Sequence, residues 1–332
     1  MQMLGTPIRR FVISQLRQYC SASNKKTIQT LRAQYEARIP ITMVTAYDYP
    51  TALHVEWAGA DVVLVGDSLG MVVLGHRTTQ AVTMEHMIHH SSAARRAVKN
   101  ALLVADVPFG SYETSSVAGA ESAIRLIKEA GVDAVKLEGG VTRAGVISRI
   151  VDSGIAVMGH VGLMPQAVSR EGAFRATGRT AETAINVIKD ARAVRDAGAF
   201  SIVLECVPER VAALVRDAVD VPVIGIGSGA SCDGQVLVYH DMLGILSHPQ
   251  HAKAAPKFSK VFGNVGPLID VAIRDYCREV KERRFPSAQY SPYKISNEEY
   301  EKLQSLLASE GSDLPLSGES KVLPEERPIR LY

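Results

Sequence analysis

The chain has 332 residues, 46% hydrophobic and 22% charged, a composition that excludes disordered and collagen-like classes. Thirty-seven Lys and Arg against 35 Asp and Glu leave a net charge of +2, too balanced to imply a nucleic-acid partner. Four cysteines (Cys20, Cys206, Cys232, Cys277) include no C-x-x-C pair, so neither a disulfide framework nor a zinc cluster is expected. Every long uncharged stretch is broken by Gly, Pro or His, so no membrane span is expected either.

The basic excess sits in the leader. Residues 1–35 carry Arg9, Arg10, Arg17, Lys25, Lys26 and Arg32 and no acid before Glu36; without them, 31 basic residues stand against 35 acidic, a net of −4. Phe11, Val12, Leu16 and Tyr19 can share one helical face, with the arginines elsewhere, which is the pattern of a mitochondrial transit peptide. A disordered basic tail is the competing reading. A secretory signal would need an apolar run of about 7–15 residues, and the longest here is Phe11-Val12-Ile13. The expected organisation is a transit peptide and lead-in over 1–35, directing the chain to the mitochondrial matrix. A catalytic domain follows over 36–286, then a peripheral helix and loose tail over 287–332.

From Ile41 onward, short apolar runs alternate with helix-like segments. The runs are ITMVTAYD, VVLVGDS, ALLVADVPF, AVKLEGG, IAVMGHVG, SIVLECV, VPVIGIGSG and a weaker VLVYHDMLGI. Helices are expected at residues 83–98, 116–130, 180–197 and 209–219. Continuous Val/Ile/Leu runs separated by helices indicate buried parallel strands joined by crossovers. Eight such units are what one (β/α)8 TIM barrel requires; a doubly wound open sheet is the alternative.

Nearly every run ends in an ionisable residue: Asp48, Asp67, Asp106, Glu138, His160, Glu205. A single acid at a strand end reads as a turn or cap. In a barrel, however, these ends converge on the mouth where active sites are built. Five carboxylates there, with Lys136 and His160, would repel one another without a cation among them, and carboxylate oxygens favour Mg²⁺ over zinc.

Three local motifs carry less. Gly66-Asp67-Ser68-Leu69-Gly70 matches G-x-S-x-G, but LGMVVLGHRTT after it does not read as the helix that a nucleophile elbow needs. Gly225-Ile226-Gly227-Ser228-Gly229 lacks the last glycine of a dinucleotide fingerprint and reads either as an anion cradle or as a tight turn. His86, His89 and His90 have helical spacing with no carboxylate arranged beside them, and a structural face is expected.

Together, TAYDYP, VGDSLGMVVLGH, ADVPFGSY, VKLEGG, MGHVGLMPQ, VLECVP and VIGIGSG, in order between Thr42 and Pro286, resemble the 3-methyl-2-oxobutanoate (ketopantoate) hydroxymethyltransferase family. The resemblance implies a (β/α)8 barrel that transfers a one-carbon unit from 5,10-methylenetetrahydrofolate to 3-methyl-2-oxobutanoate, giving 2-dehydropantoate. It implies that Asp67 and Asp106 bind Mg²⁺ directly and also touch the substrate. Glu138 would hold the ion through water, Ser68 and Lys136 would bind the keto acid, His160 would line its pocket, and Glu205 would be the catalytic base. A homo-oligomer, decameric in the family, is implied as well. Ser228 stands where the family usually has Ala and is expected to alter pocket polarity. The segment SHPQHAKAAPKF is longer than usual. Two competing readings are a phosphoenolpyruvate or isocitrate-lyase-type barrel, which would not need folate, and a non-enzymatic sensor, which would not retain Asp67, Asp106 and Glu205.

Overall fold

The computed structural model describes residues 25–172, 174–246 and 256–310, and the chain divides into two units after Val265. The proposed transit peptide up to residue 24, most of SHPQHAKAAPKF and the tail from residue 311 lie outside the described residues.

The first seven apolar runs are strands: β1 (Ile41–Thr45), β2 (Val62–Val65), β3 (Leu102–Asp106), β4 (Ala134–Glu138), β5 (Val157–Gly162), β6 (Ser201–Glu205) and β7 (Val223–Ile226). With β8 (Gly234–Leu237), every neighbouring pair is parallel. β8 pairs back onto β1, from Ile41↔Gly234 to Val44↔Leu237, so the sheet closes into a barrel rather than staying open.

The eighth strand is a correction. It begins at Gly234, earlier than expected, and Tyr239–Met242 is a helical turn instead of its continuation. Tyr239 N leaves the ladder and donates to Thr45 Oγ1 at 2.9 Å. No helix joins β7 to β8; the short link turns through Gly227, with φ +66. At Gly234 a Cβ would collide with the Ile41 carbonyl oxygen, so the strand pair closes only because no side chain is present there.

Helices in the first unit are α1 (Ile28–Glu36), α2 (Tyr49–Trp57), α3 (Leu69–Val72), α4 (Met84–Ala97), α5 (Ser116–Arg125), α6 (Ala144–Asp152), α7 (Val168–Glu171), α8 (Ala181–Asp196), α9 (Glu209–Ala218) and α10 (Tyr239–Met242). The four expected helices are α4, α5 with a π-turn to Ala130, α8 and α9. Thr83 and Thr180 start α4 and α8 as N-caps, accepting from His86 N and Thr183 N. The second unit carries α11 (Val265–Lys281) and α12 (Asn297–Ser309). The latter covers the helix-like stretch NEEYEKLQSLLASE and is capped by Ser296. Residues 266–286, expected within the barrel, fall in this second unit.

The lead-in is part of the barrel unit from Lys25 onward. Lys25 Nζ pairs with Asp133 Oδ2 at 2.5 Å and donates to Ala101 O at 2.6 Å, and Lys26 Nζ lies 3.0 Å from Asp61 Oδ1. Leu31 of α1 is 1% exposed and joins the cluster inside the barrel.

Strand alternation separates two cores. Val62 and Leu64, Leu102 and Val104, Ala134, Met158 and Val203 belong to the inner cluster. Their neighbours Val63, Val65, Leu103, Ala105, Val135, Leu137, Ile202 and Leu204 belong to the cluster shared with the helices.

Candidate active site

That alternation aims the polar residues. Two residues beyond Val104, Ala134, Met158 and Val203 on the same strands stand Asp106, Lys136, His160 and Glu205, with Glu138 two beyond Lys136. The inward face therefore turns from apolar to charged at the C-terminal mouth. These five residues, with Asp67 and Ser68 from the turn after β2, line a cavity of about 650 Å³. Its other walls include the apolar Leu163, Phe174, Phe258 and Val261.

Asp106 and Lys136 are register partners on β3 and β4, and Lys136 Nζ donates to Asp106 Oδ1 at 2.6 Å. The second Asp106 oxygen accepts Asp67 N at 3.0 Å, which ties the turn after β2 to β3. Glu138 and His160 are register partners on β4 and β5, with His160 Nδ1 3.8 Å from Glu138 Oε1. His160 Nε2 lies 3.2 Å from Glu205 Oε2, but the alignment is not that of a hydrogen bond. Both ring nitrogens of this buried imidazole have no hydrogen-bond partner among the described residues, a costly state that a ligand would relieve. Ser68 Oγ shares a 2.8 Å hydrogen bond with the hydroxyl of the buried Tyr47.

The charges are unbalanced: five carboxylates, Asp67, Asp106, Glu138, Glu205 and Asp241, line the cavity with one lysine. Burial, reinforced by Asp106, pushes the Asp67 carboxyl up to about 7 against the pull of Lys136 and Gln166. Burial and Asp67 raise Glu138 well above the usual carboxylate range. Burial alone would lower the Lys136 ammonium pKa, but Asp106, Glu138 and Asp67 outweigh it and hold the group above its ordinary value. Among the described residues no three His, Cys, Asp or Glu side chains are already gathered as a metal cage. The donor set still fits a hard divalent ion such as Mg²⁺, which takes one or two carboxylates and completes its shell with water and substrate oxygens.

The residues that the resemblance assigns to the site all line this cavity, whereas Asp48, expected there with the other strand-end acids, does not. Its carboxylate caps α2, accepting Thr51 N at 2.8 Å. Ser228 is also a correction: it is fully buried and absent from the cavity wall. Its hydroxyl donates to Leu204 O at 2.8 Å and accepts Val207 N at 3.2 Å. It thus staples the backbone either side of Glu205 and Cys206, the latter in the left-handed region with φ +53. Ser68 is followed by a single helical turn and pairs with Tyr47 rather than with a histidine, so no nucleophile elbow forms. His86 Nδ1 accepts Thr83 N, and His90 Nδ1 meets Tyr47 O at 2.6 Å, so these two serve the local fold. Gln166, buried between Asp67 and Glu138, was within a motif yet carried no signal of its own.

Fold and mouth together define a (β/α)8-barrel enzyme with an acidic site. A profile of the ketopantoate hydroxymethyltransferase family matches residues 25–288. "3-methyl-2-oxobutanoate hydroxymethyltransferase 1, mitochondrial" of Oryza sativa subsp. japonica is 50% identical over 292 residues, 88% of this chain and 80% of that one. The protein of the same name from Arabidopsis thaliana is 49% identical over 292 residues, 88% and 84% of the two chains. "3-methyl-2-oxobutanoate hydroxymethyltransferase" of Carboxydothermus hydrogenoformans is 49% identical over 268 residues, 81% and 95%. Among solved structures, oxaloacetate acetylhydrolase superposes with a TM-score of 0.52 at 14% identity, over 87% of this chain and 99% of that one, a likeness of fold alone. The chain belongs to the ketopantoate hydroxymethyltransferase family.

Proposed function

We propose that this protein transfers a hydroxymethyl group from 5,10-methylenetetrahydrofolate to 3-methyl-2-oxobutanoate, giving 2-dehydropantoate and tetrahydrofolate, the first step of pantothenate biosynthesis. The observation that carries this reading is the convergence of Asp67, Asp106, Lys136, Glu138, His160 and Glu205 on one cavity, in a chain about half identical to relatives named for that activity.

Asp67 and Asp106 would hold Mg²⁺ directly and Glu138 through water. Bound there, the ion supplies Lewis-acid stabilisation of negative charge developing on the keto acid's oxygens. Lys136, kept protonated by its carboxylate neighbours, and the Ser68 hydroxyl bind the acid's carboxylate. His160 offers its unpartnered nitrogens to the same ligand. Glu205 takes the C3 proton. Water adds to the folate-borne methylene and its two C–N bonds break, leaving tetrahydrofolate and formaldehyde; the C3 carbanion adds to the formaldehyde carbon, and the resulting alkoxide takes a proton to give the hydroxymethyl product. The cavity, about 650 Å³ and walled partly by apolar side chains, is of the size and character of a small-molecule site.

Purified protein with both substrates and Mg²⁺ is expected to form 2-dehydropantoate, followed by mass spectrometry, and to form none without the folate. Turnover of other 2-oxo acids in the absence of folate would instead indicate a lyase-type barrel.

The reading extends to the mitochondrial matrix, since two plant relatives are named mitochondrial and the family match begins at residue 25. Residues up to about Ser21–Asn24 are expected to be removed on import. N-terminal sequencing of organelle-purified protein checks this, and an intact Met1 would count against it. The protein is further read as a homo-oligomer, decameric as in the family, which sedimentation equilibrium measures.

A further inference from the structure

Gln166 occupies a 3₁₀ turn (Pro165–Ala167) after β5 and is 4% exposed. Its polar groups are committed to several elements at once. Nε2 donates to Asp67 Oδ2 at 2.8 Å and to Val107 O at 3.1 Å, while the backbone N donates to Glu138 Oε2 at 3.0 Å. Oε1 accepts the hydroxyl of Tyr112 at 2.6 Å, and Tyr112 is itself 2% exposed. Gln80 Nε2 donates to Gln166 O at 2.8 Å, fixing the turn from outside.

The amide has one workable orientation. Reversing it would set Oε1 against the Asp67 carboxylate and the Val107 carbonyl, two acceptors facing a third. In this orientation the Tyr112 hydroxyl, 2.6 Å from Gln166 Oε1 and 3.1 Å from Glu138 O, donates to the amide oxygen and anchors it. The consequence is specific: Asp67 Oδ2 is held by the amide and Glu138 Oε2 by the turn, which fixes the carboxylate planes of two residues that line the cavity and leaves the other oxygen of each without a hydrogen bond among the described residues.

We propose that Gln166 is a positioning residue that aims Asp67 and Glu138 at the divalent ion, with Tyr112 anchoring its amide. This rests on the reading of those two carboxylates as ion-holding groups. Residues that orient metal ligands through hydrogen bonds typically change affinity or activity ~10–100-fold when replaced. Gln166→Met keeps the length and removes every side-chain hydrogen bond, so the Mg²⁺ dissociation constant should rise by about that factor. The KM for the keto acid at limiting ion should rise with it, and much of kcat should return at saturating ion. Tyr112→Phe removes the anchor on the amide oxygen, and should weaken Mg²⁺ by a smaller factor in the same direction.

The experiment is calorimetric titration of the full chain with Mg²⁺, with and without 3-methyl-2-oxobutanoate, on wild type, Gln166→Met, Tyr112→Phe and Asp67→Asn, alongside thermal melting. A purely structural glutamine predicts a lower melting temperature with the wild-type Mg²⁺ constant in folded protein, and that result overturns the proposal. If Gln166→Met does not fold, Tyr112→Phe decides: an unchanged constant rejects the role of the amide. Asp67→Asn separates the two levels. Should it bind Mg²⁺ as wild type does, the ion site itself has been misread and this inference falls with it. Should it lose the ion while Gln166→Met keeps it, only the positioning role fails.

Discussion

Replacing Asp67 or Asp106 by Asn is expected to lower turnover at least ~100-fold, the scale of losing several kcal/mol of charge stabilisation at a metal-assisted step. Wild type in excess chelator should fall as far and recover on adding Mg²⁺. Asp106→Asn carries a second cost that Asp67→Asn does not. Both Asp106 oxygens accept from donors, one from Lys136 and one from Asp67 N, so an amide must turn its own N–H bonds toward one of them. Asp67→Asn can keep its contact with Gln166 by presenting its oxygen. Steady-state rates with and without chelator, normalised to folded protein, test the pair; full activity of ion-free protein would reject the metal reading.

Stability should move the other way for Asp67. Its folded-state pKa is raised to about 7 in the absence of an ion, so the native state holds a proton that the unfolded chain releases near the ordinary value of 3.8. Ion-free protein therefore loses stability as pH rises from about 4 to about 7, and Asp67→Asn should flatten that fall. A substitution that disables the enzyme while relieving the ion-free fold separates a functional carboxylate from a structural one.

Seven strands were legible because parallel strands buried on both faces are written as unbroken apolar runs. β8 was not. Gly-Gln-Val-Leu is short, carries the exposed Gln235, and is reached from β7 without a helix, so the period of the alternation fails there. The stronger apolar sequence just after it drew the reading too far along the chain. The site was legible for a related reason: on four strands the charged residue stands an even number of places beyond an apolar inner-core residue, so parity alone points it inward. Asp48 shows the limit. It follows an apolar run as Asp67 does, but Asp48-Tyr49-Pro50-Thr51 carries its own explanation, with a capping side chain at each end and Pro50 in the first turn. Gln166 was invisible because its partners lie 28 residues away at Glu138, 59 at Val107 and 99 at Asp67, and no local pattern records such a meeting. Ser228 was misplaced because the resemblance supplied a position beside the substrate but not the direction of the side chain, which turns into the backbone at the end of β6 instead.

Glu205→Gln should suppress exchange of the C3 proton of 3-methyl-2-oxobutanoate in D₂O by ~10²–10⁴-fold, the worth of a positioned general base. Wild type should exchange this proton with no folate present, because enolisation needs the keto acid, the ion and a proton acceptor, whereas the folate enters only at carbon–carbon bond formation. The substitution keeps the shape at the end of β6 and leaves binding to the residues on β3 and β4 intact. Its rival is a structural Glu205 paired with a cation, which predicts lost stability and normal exchange in the folded fraction. The geometry gives that rival little support: among the described residues no Lys or Arg forms an ion pair with Glu205. Its nearest cation-capable neighbour is His160, 3.2 Å away and not aligned as a hydrogen bond. Lys136 is engaged by Asp106 instead. Glu205 is also more open than its neighbours on β3 and β4, its side chain 16% exposed against 4% for Asp106 and Glu138, as a group that must reach a substrate carbon requires. NMR of the C3 proton, normalised to folded, ligand-bound enzyme, measures the effect. Near-normal exchange by folded Glu205→Gln would move the base to another group facing the same ligand. His160, with both nitrogens unpartnered beside Glu205, would then be the one to replace.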